Sequence, residues 1–177
     1  TVWLLAVIMF CCQTGSYGLT LWVPTIVKGL SGYTDFEVGL FSAIPYLAAA
    51  AGMILIGRSS DRSGERFLHV AIPSVIGALG FIATGMITAP MAAMIALSVA
   101  AVGDYSTRGP FWALPGKFLT GSAAAAGIAL INAMGAVGGF IGPYAVGYLK
   151  DATGNFASAL YLLAGICLLY TSDAADD

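Results

Sequence analysis

Several polar side chains interrupt long apolar stretches of this sequence, and these residues could do chemistry. Asp104 and Arg108 lie four residues apart, so a single helix would present both on one face. There they could form a structural ion pair, or bind and release a proton or an anion. Asn132 interrupts another apolar run with an amide that could contact a ligand or hydrogen-bond a neighbouring helix. Because polar groups are costly inside a membrane, such residues are candidates for a functional site.

Four further side chains could line the same site. Gln13 and Tyr17 are four residues apart in the first apolar stretch, Tyr46 lies in the second, and Trp112 lies in the segment PFWALP. Plain packing is the alternative for Gln13 and Tyr17, and a place at the membrane interface is the alternative for Trp112. Together with the amide described above, the predicted ligand-binding residues are Asn132, Tyr17, Gln13, Tyr46 and Trp112.

Residues for several other kinds of chemistry are missing from the sequence. It offers no Ser/His pair on the apolar stretches, no G-x-S-x-G motif and no pair of acidic residues of protease type, so we predict that the chain is not an enzyme. One histidine and three cysteines, two of them adjacent, give no metal-ligand spacing, and we predict no metal and no cofactor. A net charge of −2 without a basic block gives no reason to expect nucleic acid as a partner.

The elements that carry these residues are helices that cross a lipid bilayer. Hydrophobic residues make up 59% of the 177-residue chain, charged residues make up 9%, and the mean hydropathy is +0.89. A soluble domain carries about 25% charged residues, and a span needs about 20 apolar ones. The sequence therefore predicts an all-α membrane protein with a six-helix transmembrane bundle. The predicted spans are Val2–Val27, Val38–Gly57, Leu68–Thr88, Met91–Leu114, Ser122–Leu149 and a shortened sixth from Phe156.

The loops between these spans differ in charge from one side to the other. Arg58, Arg62, Arg66 and Lys117 fall on one side, whereas Lys28 falls on the other together with Lys150. Cytoplasmic loops carry the excess of Lys and Arg, so the first group is predicted to be cytoplasmic.

The most charged segment, GRSSDRSGER at 57–66, follows the second predicted span. It resembles the loop signature of the major facilitator superfamily, G-x-x-x-D-[RK]-x-G-[RK]-[RK], with Glu65 where that family usually has a base. A pairing of Asp61 with Arg58, Arg62 or a neighbouring helix is expected, and a turn at Gly64. A charged loop that merely sets topology is the alternative to a conformational latch. The predicted motif residues are Gly57, Asp61, Arg62, Gly64 and Arg66.

Two longer segments, 18–50 and 109–154, are similar to the C-terminal half of the anion:cation symporter family. That family includes permeases for tartrate, phthalate and hydroxyphenylacetate. The resemblance implies helices seven to twelve of a twelve-helix fold in an inner (plasma) membrane. It implies transport of a small organic anion, usually with a proton, by alternating access between two bundles. A transporter-like sensor or assembly subunit is the alternative from another class, and an intramembrane enzyme is a remote one.

Both ends of the sequence affect the expected domain organisation. The chain begins at Thr1 with no start methionine, so an N-terminal half of the same protein is expected to be missing. The last stretch, CLLYTSDAADD at 167–177, resembles a translated sequencing-library adapter. We therefore expect residues 1–166 to be the transmembrane bundle and residues 167–177 to be a non-native tail.

Overall fold

The structure, a computed structural model, describes residues 2–30, 32, 34–117 and 119–175, and the regular elements in these ranges are all helical. Seven α-helices follow one another along the chain, with a short 3-10 turn at Pro115–Lys117 between the fifth and the sixth. They are α1 (Val2–Leu30), α2 (Asp35–Ser63), α3 (Leu68–Met86), α4 (Pro90–Ser106), α5 (Arg108–Ala113), α6 (Gly121–Thr153) and α7 (Ala157–Ala175).

Four of these helices, α1, α2, α3 and α6, are each long and apolar enough to cross a membrane alone. A helix satisfies its own backbone hydrogen bonds, which is why an apolar chain in lipid folds this way. Helix α7 has a shorter apolar part, Ala157–Leu169. Helices α4 and α5 follow one another where a fourth span was predicted. The all-α bundle expected from the sequence is thus confirmed.

The predicted fourth span differs in one respect, because it is broken near Thr107. Helix α4 ends at Ser106 and α5 continues from Arg108. Pro110 has no backbone N–H to bond four residues back, so the carbonyl of Ser106 loses its helical donor there. The span predicted over Met91–Leu114 is therefore built from two helices in succession.

The second span also extends further than the sequence suggested. Helix α2 runs on to Ser63 and ends where Gly64 adopts a left-handed conformation, φ 70°, so most of the predicted charged loop is helical. At its other end Thr34 and Glu37 form a capping box, in which each side chain bonds the other residue's backbone N–H. The turn expected at Gly64 is present.

Helix α1 is the central element of the bundle, since 61% of its apolar window is buried, against 22% for α2 and 17% for α6. It packs most extensively on α6, where Gly138 and Gly142 approach the backbone of Phe10 and Thr14 so closely that no side chain would fit. Gly138 and Gly142 form a G-x-x-x-G pair, a spacing that lets two helix backbones approach closely in a membrane. The other glycine pair, Gly135/Gly139, faces side chains of α1 instead.

Helices α3 and α4 meet in the same backbone-to-backbone manner. Gly103 lies against Gly77 and the carbonyl of Pro73, and Gly80 lies against Ala100. Asp104 follows Gly103 directly, so this contact fixes where the first charged residue of the site stands.

Candidate functional site

Asp104 is buried in the middle of the bundle, with 2% of its surface exposed. The hydroxyl of Ser16 on α1 donates a hydrogen bond to its Oδ2 at 2.6 Å. Its other carboxylate oxygen, Oδ1, has no hydrogen-bond partner among the described residues. A buried polar group without a partner costs free energy, so it signals a site that something else completes.

The contact between Ser16 and Asp104 lies near the middle of helix α1. Ser16 stands 14 residues from each end of α1, Val2 and Leu30, which is about 21 Å at 1.5 Å per residue. A hydrocarbon core is about 30 Å thick, so the Ser16–Asp104 contact lies near its midplane.

A second layer of hydrogen bonds lies one helical turn along α1. The hydroxyl of Thr20 donates to the carbonyl of Ser16 at 2.7 Å, so the Tyr105 hydroxyl must be the donor in its 2.6 Å contact with Thr20. Tyr46 on α2 donates to the Thr20 carbonyl at 3.3 Å, and its ring meets that of Tyr105 edge-on at 6.1 Å. These contacts tie α1, α2 and α4 together beside the buried carboxylate.

Arg108 does not form the ion pair with Asp104 that their spacing allowed. Its guanidinium carbon lies 4.5 Å from the centre of the Tyr105 ring, in a cation–π contact. No ion pair joins Asp104 and Arg108 in the described part of the chain, and the guanidinium packs on the Tyr105 ring instead. The Arg108 charge still acts electrostatically on Asp104. The guanidinium therefore keeps donors available for another anion.

These groups border a small cleft between α1 and the α4–α5 segment. The cleft is narrow, with a volume of about 10 Å³, and part of it is open to the surface. Polar groups line one part and apolar side chains the rest. The lining residues are Met9, Cys12, Gln13, Ser16, Asp104, Thr107, Arg108, Phe111 and Trp112.

The structure brings some of the predicted site residues together and leaves others apart. Gln13, Trp112, Asp104 and Arg108 share the cleft, and Tyr46 joins the hydrogen-bond layer beside it. Tyr17 lies outside the cleft lining, 45% exposed, with its ring against Gly139.

Asn132 is exposed on α6 and is likewise not part of the cleft lining. Its assignment to substrate stays a prediction.

Sequence reasoning missed three polar residues of this region, Ser16, Thr20 and Tyr105. Ser16 and Thr20 meet partners 88 and 85 positions away, which no local pattern shows. A usable signal was the run Asp104–Arg108 (DYSTR), where five consecutive non-apolar or aromatic residues interrupt an apolar span.

The charged motif at the end of α2 contains three residues that are joined by hydrogen bonds. We call this cluster the Arg66 clamp, and its members are Ser60, Asp61 and Arg66. Arg66 bonds Asp61 Oδ1 at 2.7 Å and the buried Ser60 hydroxyl at 2.9 Å. Of the alternatives left open, Asp61 therefore pairs with Arg66 beside the start of the neighbouring helix α3, and not with Arg58 or Arg62. The turn at Gly64 brings the chain back so that Arg66 reaches α2.

Glu65, the departure from the family signature, caps the start of α3. Its carboxylate accepts backbone N–H bonds from Phe67 at 3.0 Å and Leu68 at 2.8 Å. Slight desolvation raises the pKa of Glu65, but the bonds from Leu68, His69 and Phe67 outweigh it and leave the pKa below the usual 4.5. An acidic residue here serves a helix N-terminus, where negative charge is favourable.

The fold and the site together define a class of protein: a multi-pass helical membrane protein with a polar cleft at mid-depth. Residues 1–143 match the family model described as Major Facilitator Superfamily, and the chain belongs to that family. The family is one of membrane transporters and not of enzymes, which confirms that part of the sequence analysis.

Named relatives agree with this assignment. The chain is 44% identical over 152 residues to the "Quinolone resistance transporter" of Acinetobacter baumannii, covering 86% of this chain and 35% of that protein. It is 42% identical over 166 residues to a protein of Agrobacterium vitis provisionally named a tartrate transporter, covering 93% and 38%. It is 37% identical over 176 residues to the inner membrane transport protein RhmT of Escherichia coli, covering 96% and 41%. The chain thus spans about two fifths or less of these relatives.

A solved structure shows the same architecture. The crystal structure of a variant of the E. coli fucose:proton symporter FucP matches with a TM-score of 0.83, covering 98% of this chain and 43% of that protein. The sequences are 16% identical, so the likeness is one of fold.

Proposed function

We propose that the protein containing this chain moves a small organic anion across the inner membrane by proton symport, and that this chain supplies the C-terminal bundle of its two. The observation that carries the proposal is the mid-depth cleft where Arg108 stands beside a buried carboxyl. Ionisable residues at this depth in a membrane protein mark the path of a substrate or ion.

A carboxylate is the substrate group that the side chains lining this cleft would bind best. Arg108 offers a planar set of donors that matches two carboxylate oxygens. Gln13 can bond a hydroxyl, and Trp112 provides an apolar wall. The tartrate name carried by the Agrobacterium vitis relative supports a hydroxy acid.

Asn132 and Tyr17 lie on the exposed side of the bundle, and this position is compatible with the proposal. Both are exposed in this chain, on α6 and α1 respectively. A transport site of this family lies between two bundles. We propose that these two residues face the partner bundle and close the site from there.

The Arg66 clamp is the proposed conformational latch. It holds the end of α2 to the start of α3, so the two helices would move as one body when the bundles rock. Residues 167–177 contribute nothing in this proposal, since we interpret them as adapter-derived. Amplifying the source locus with independent primers tests that, and a genomic tail of the same sequence would overturn it.

The test uses the full-length parent protein in liposomes. With an inward proton gradient, uptake of one or more labelled hydroxy or aromatic carboxylates is expected, and an ionophore that collapses the gradient should abolish accumulation. The panel should include a quinolone, because the relative of highest identity among those named here is called a quinolone resistance transporter. No gradient-dependent movement of any panel member would overturn the proposal.

A further inference from the structure

The Asp104 carboxyl is built to change its protonation state. It is buried, one oxygen accepts the Ser16 hydroxyl at 2.6 Å, and Oδ1 has no partner in the part of the chain that the structure describes. A carboxylate in an apolar interior is costly when ionised, and protonation removes that cost. Asp104 is also one of the residues that line the cleft. The arrangement leaves one oxygen available for a proton without disturbing the bond to Ser16.

The groups around Asp104 set how that proton is controlled. On its own α4–α5 segment, Arg108 is the charged neighbour, and the hydroxyl of Tyr105 is engaged with α1. Cys12 of α1 lines the cleft. Cys167, which belongs to the segment that we interpret as adapter-derived, lies with Asp104 Oδ1 beside Gly15.

The other two helices packed against α4 add little charge near Asp104. Helix α2 brings Tyr46, which contacts Tyr105. Helix α3 contains a single ionisable side chain, His69. It lies in the first turn of α3 and bonds Ser59 of α2. Among the described residues, Arg108 is thus the cation whose charge acts on the Asp104 carboxylate.

We propose that Asp104 carries the coupling proton of this transporter and that Arg108 links the proton to the bound anion. The inference rests on the proposed function and names the group within this chain that would perform the coupling. The inference places the binding sites of the proton and of the anion in the same cleft.

The cycle follows from charge balance. With the site empty, the Arg108 charge favours the ionised carboxylate. When a substrate carboxylate binds Arg108, its negative charge offsets the positive charge of the guanidinium, and a proton taken up from water bonds to Oδ1. The carboxyl is then neutral while Ser16 still donates to Oδ2. After the anion leaves on the other side, the Arg108 charge is restored and the proton leaves Oδ1.

Linkage makes this reciprocal: if the anion strengthens proton binding, the proton strengthens anion binding by the same factor. Apparent affinity for the anion should therefore rise as pH falls. The dependence should vanish when the carboxyl cannot ionise.

The experiment uses the full-length parent in proteoliposomes, comparing Asp104→Asn with the unaltered protein. Exchange of labelled for unlabelled anion needs no net proton movement, whereas accumulation does. Asp104→Asn should retain exchange, with an affinity that no longer changes with pH, and should lose gradient-driven accumulation by more than about tenfold. Asp151→Asn makes the same chemical change at an exposed position on α6 and should behave as the parent.

A second variant keeps the proposal testable if the amide variant does not insert. Ser16→Ala removes the bond that stabilises the ionised form, so the pH for half-maximal uptake should move up by about one unit, the effect of losing one charge-assisted hydrogen bond. An unchanged pH profile in Ser16→Ala, or persistent proton-driven accumulation in Asp104→Asn, would overturn the inference. Absence of transport in the unaltered parent would instead overturn the proposed function.

Discussion

Two regions of this molecule use the same three residue types, a serine, an aspartate and an arginine, with opposite results. In the Arg66 clamp, Arg66 bonds both Ser60 and Asp61, so the cation and the anion meet. In the mid-depth cleft, Ser16 bonds Asp104 while Arg108 turns away onto the Tyr105 ring. Direct pairing fixes a structure, whereas separated charges remain available to bind.

The two regions also differ in what holds them in place. The clamp depends on side-chain contacts after a glycine turn, at the end of α2. The cleft depends on backbone packing, since Gly103 lies against α3 immediately before Asp104. A single side chain can therefore loosen the clamp, whereas the cleft should fail when the helices beneath it are forced apart.

The largest effect is expected from Gly103→Ala in the full-length parent. The added methyl group would collide with the backbone at Gly77 and Pro73, and overpacking against backbone costs on the order of 3 kcal/mol. We expect little or no monodisperse protein by size-exclusion chromatography in detergent. Gly165→Ala is the control, since no atom lies within 4 Å of its added methyl group. Equal yields of both variants would show that the cleft does not depend on this contact.

The next effect separates the two arginines. Arg108→Met removes the free guanidinium of the cleft, and losing a charge-assisted bond to a carboxylate should raise KM for uptake more than tenfold, since such bonds contribute roughly 1.5–3 kcal/mol. Lys117→Met is the control, because it removes an exposed charge outside the cleft. An unchanged KM in the Arg108 variant would show that the anion does not bind at Arg108.

Arg66→Met should act differently, on rate more than on affinity. Without the clamp, α2 and α3 are less firmly joined, and we expect a fall in the maximal rate of uptake by about threefold, in keeping with a surface contact of under 1 kcal/mol, at unchanged KM. Arg58→Met removes an exposed cation from the same segment and should have no such effect. A raised KM in Arg66→Met would mean that the clamp shapes the binding site.

The contrast also explains what the sequence could and could not predict. Apolar length predicted the bundle, because the length of an apolar stretch depends on local composition alone. The spacing of Asp104 and Arg108 predicted a shared face, but it could not show that the guanidinium would pack on the Tyr105 ring. Asp61 has several arginines within reach, and only the folded turn at Gly64 selects Arg66. Ser16 had no local signal, since its partner comes from another helix.

The smallest predicted effect concerns Glu65 at the edge of the clamp. Its pKa is lowered in the folded state, so its ionised form contributes stability above the unfolded value of about 4.5, and that contribution is lost as pH falls through the lower folded pKa. Glu65→Gln should therefore lower the melting temperature in detergent slightly at about pH 7, by the equivalent of less than about 1 kcal/mol, as for other helix caps. The difference should shrink toward about pH 4 as the parent's carboxylate becomes protonated. Asp151→Asn, whose carboxylate pairs with the neighbouring Lys150 and caps no helix start, should show no comparable narrowing. A difference that stays constant with pH would mean that Glu65 stabilises the start of α3 through packing and not through its charge.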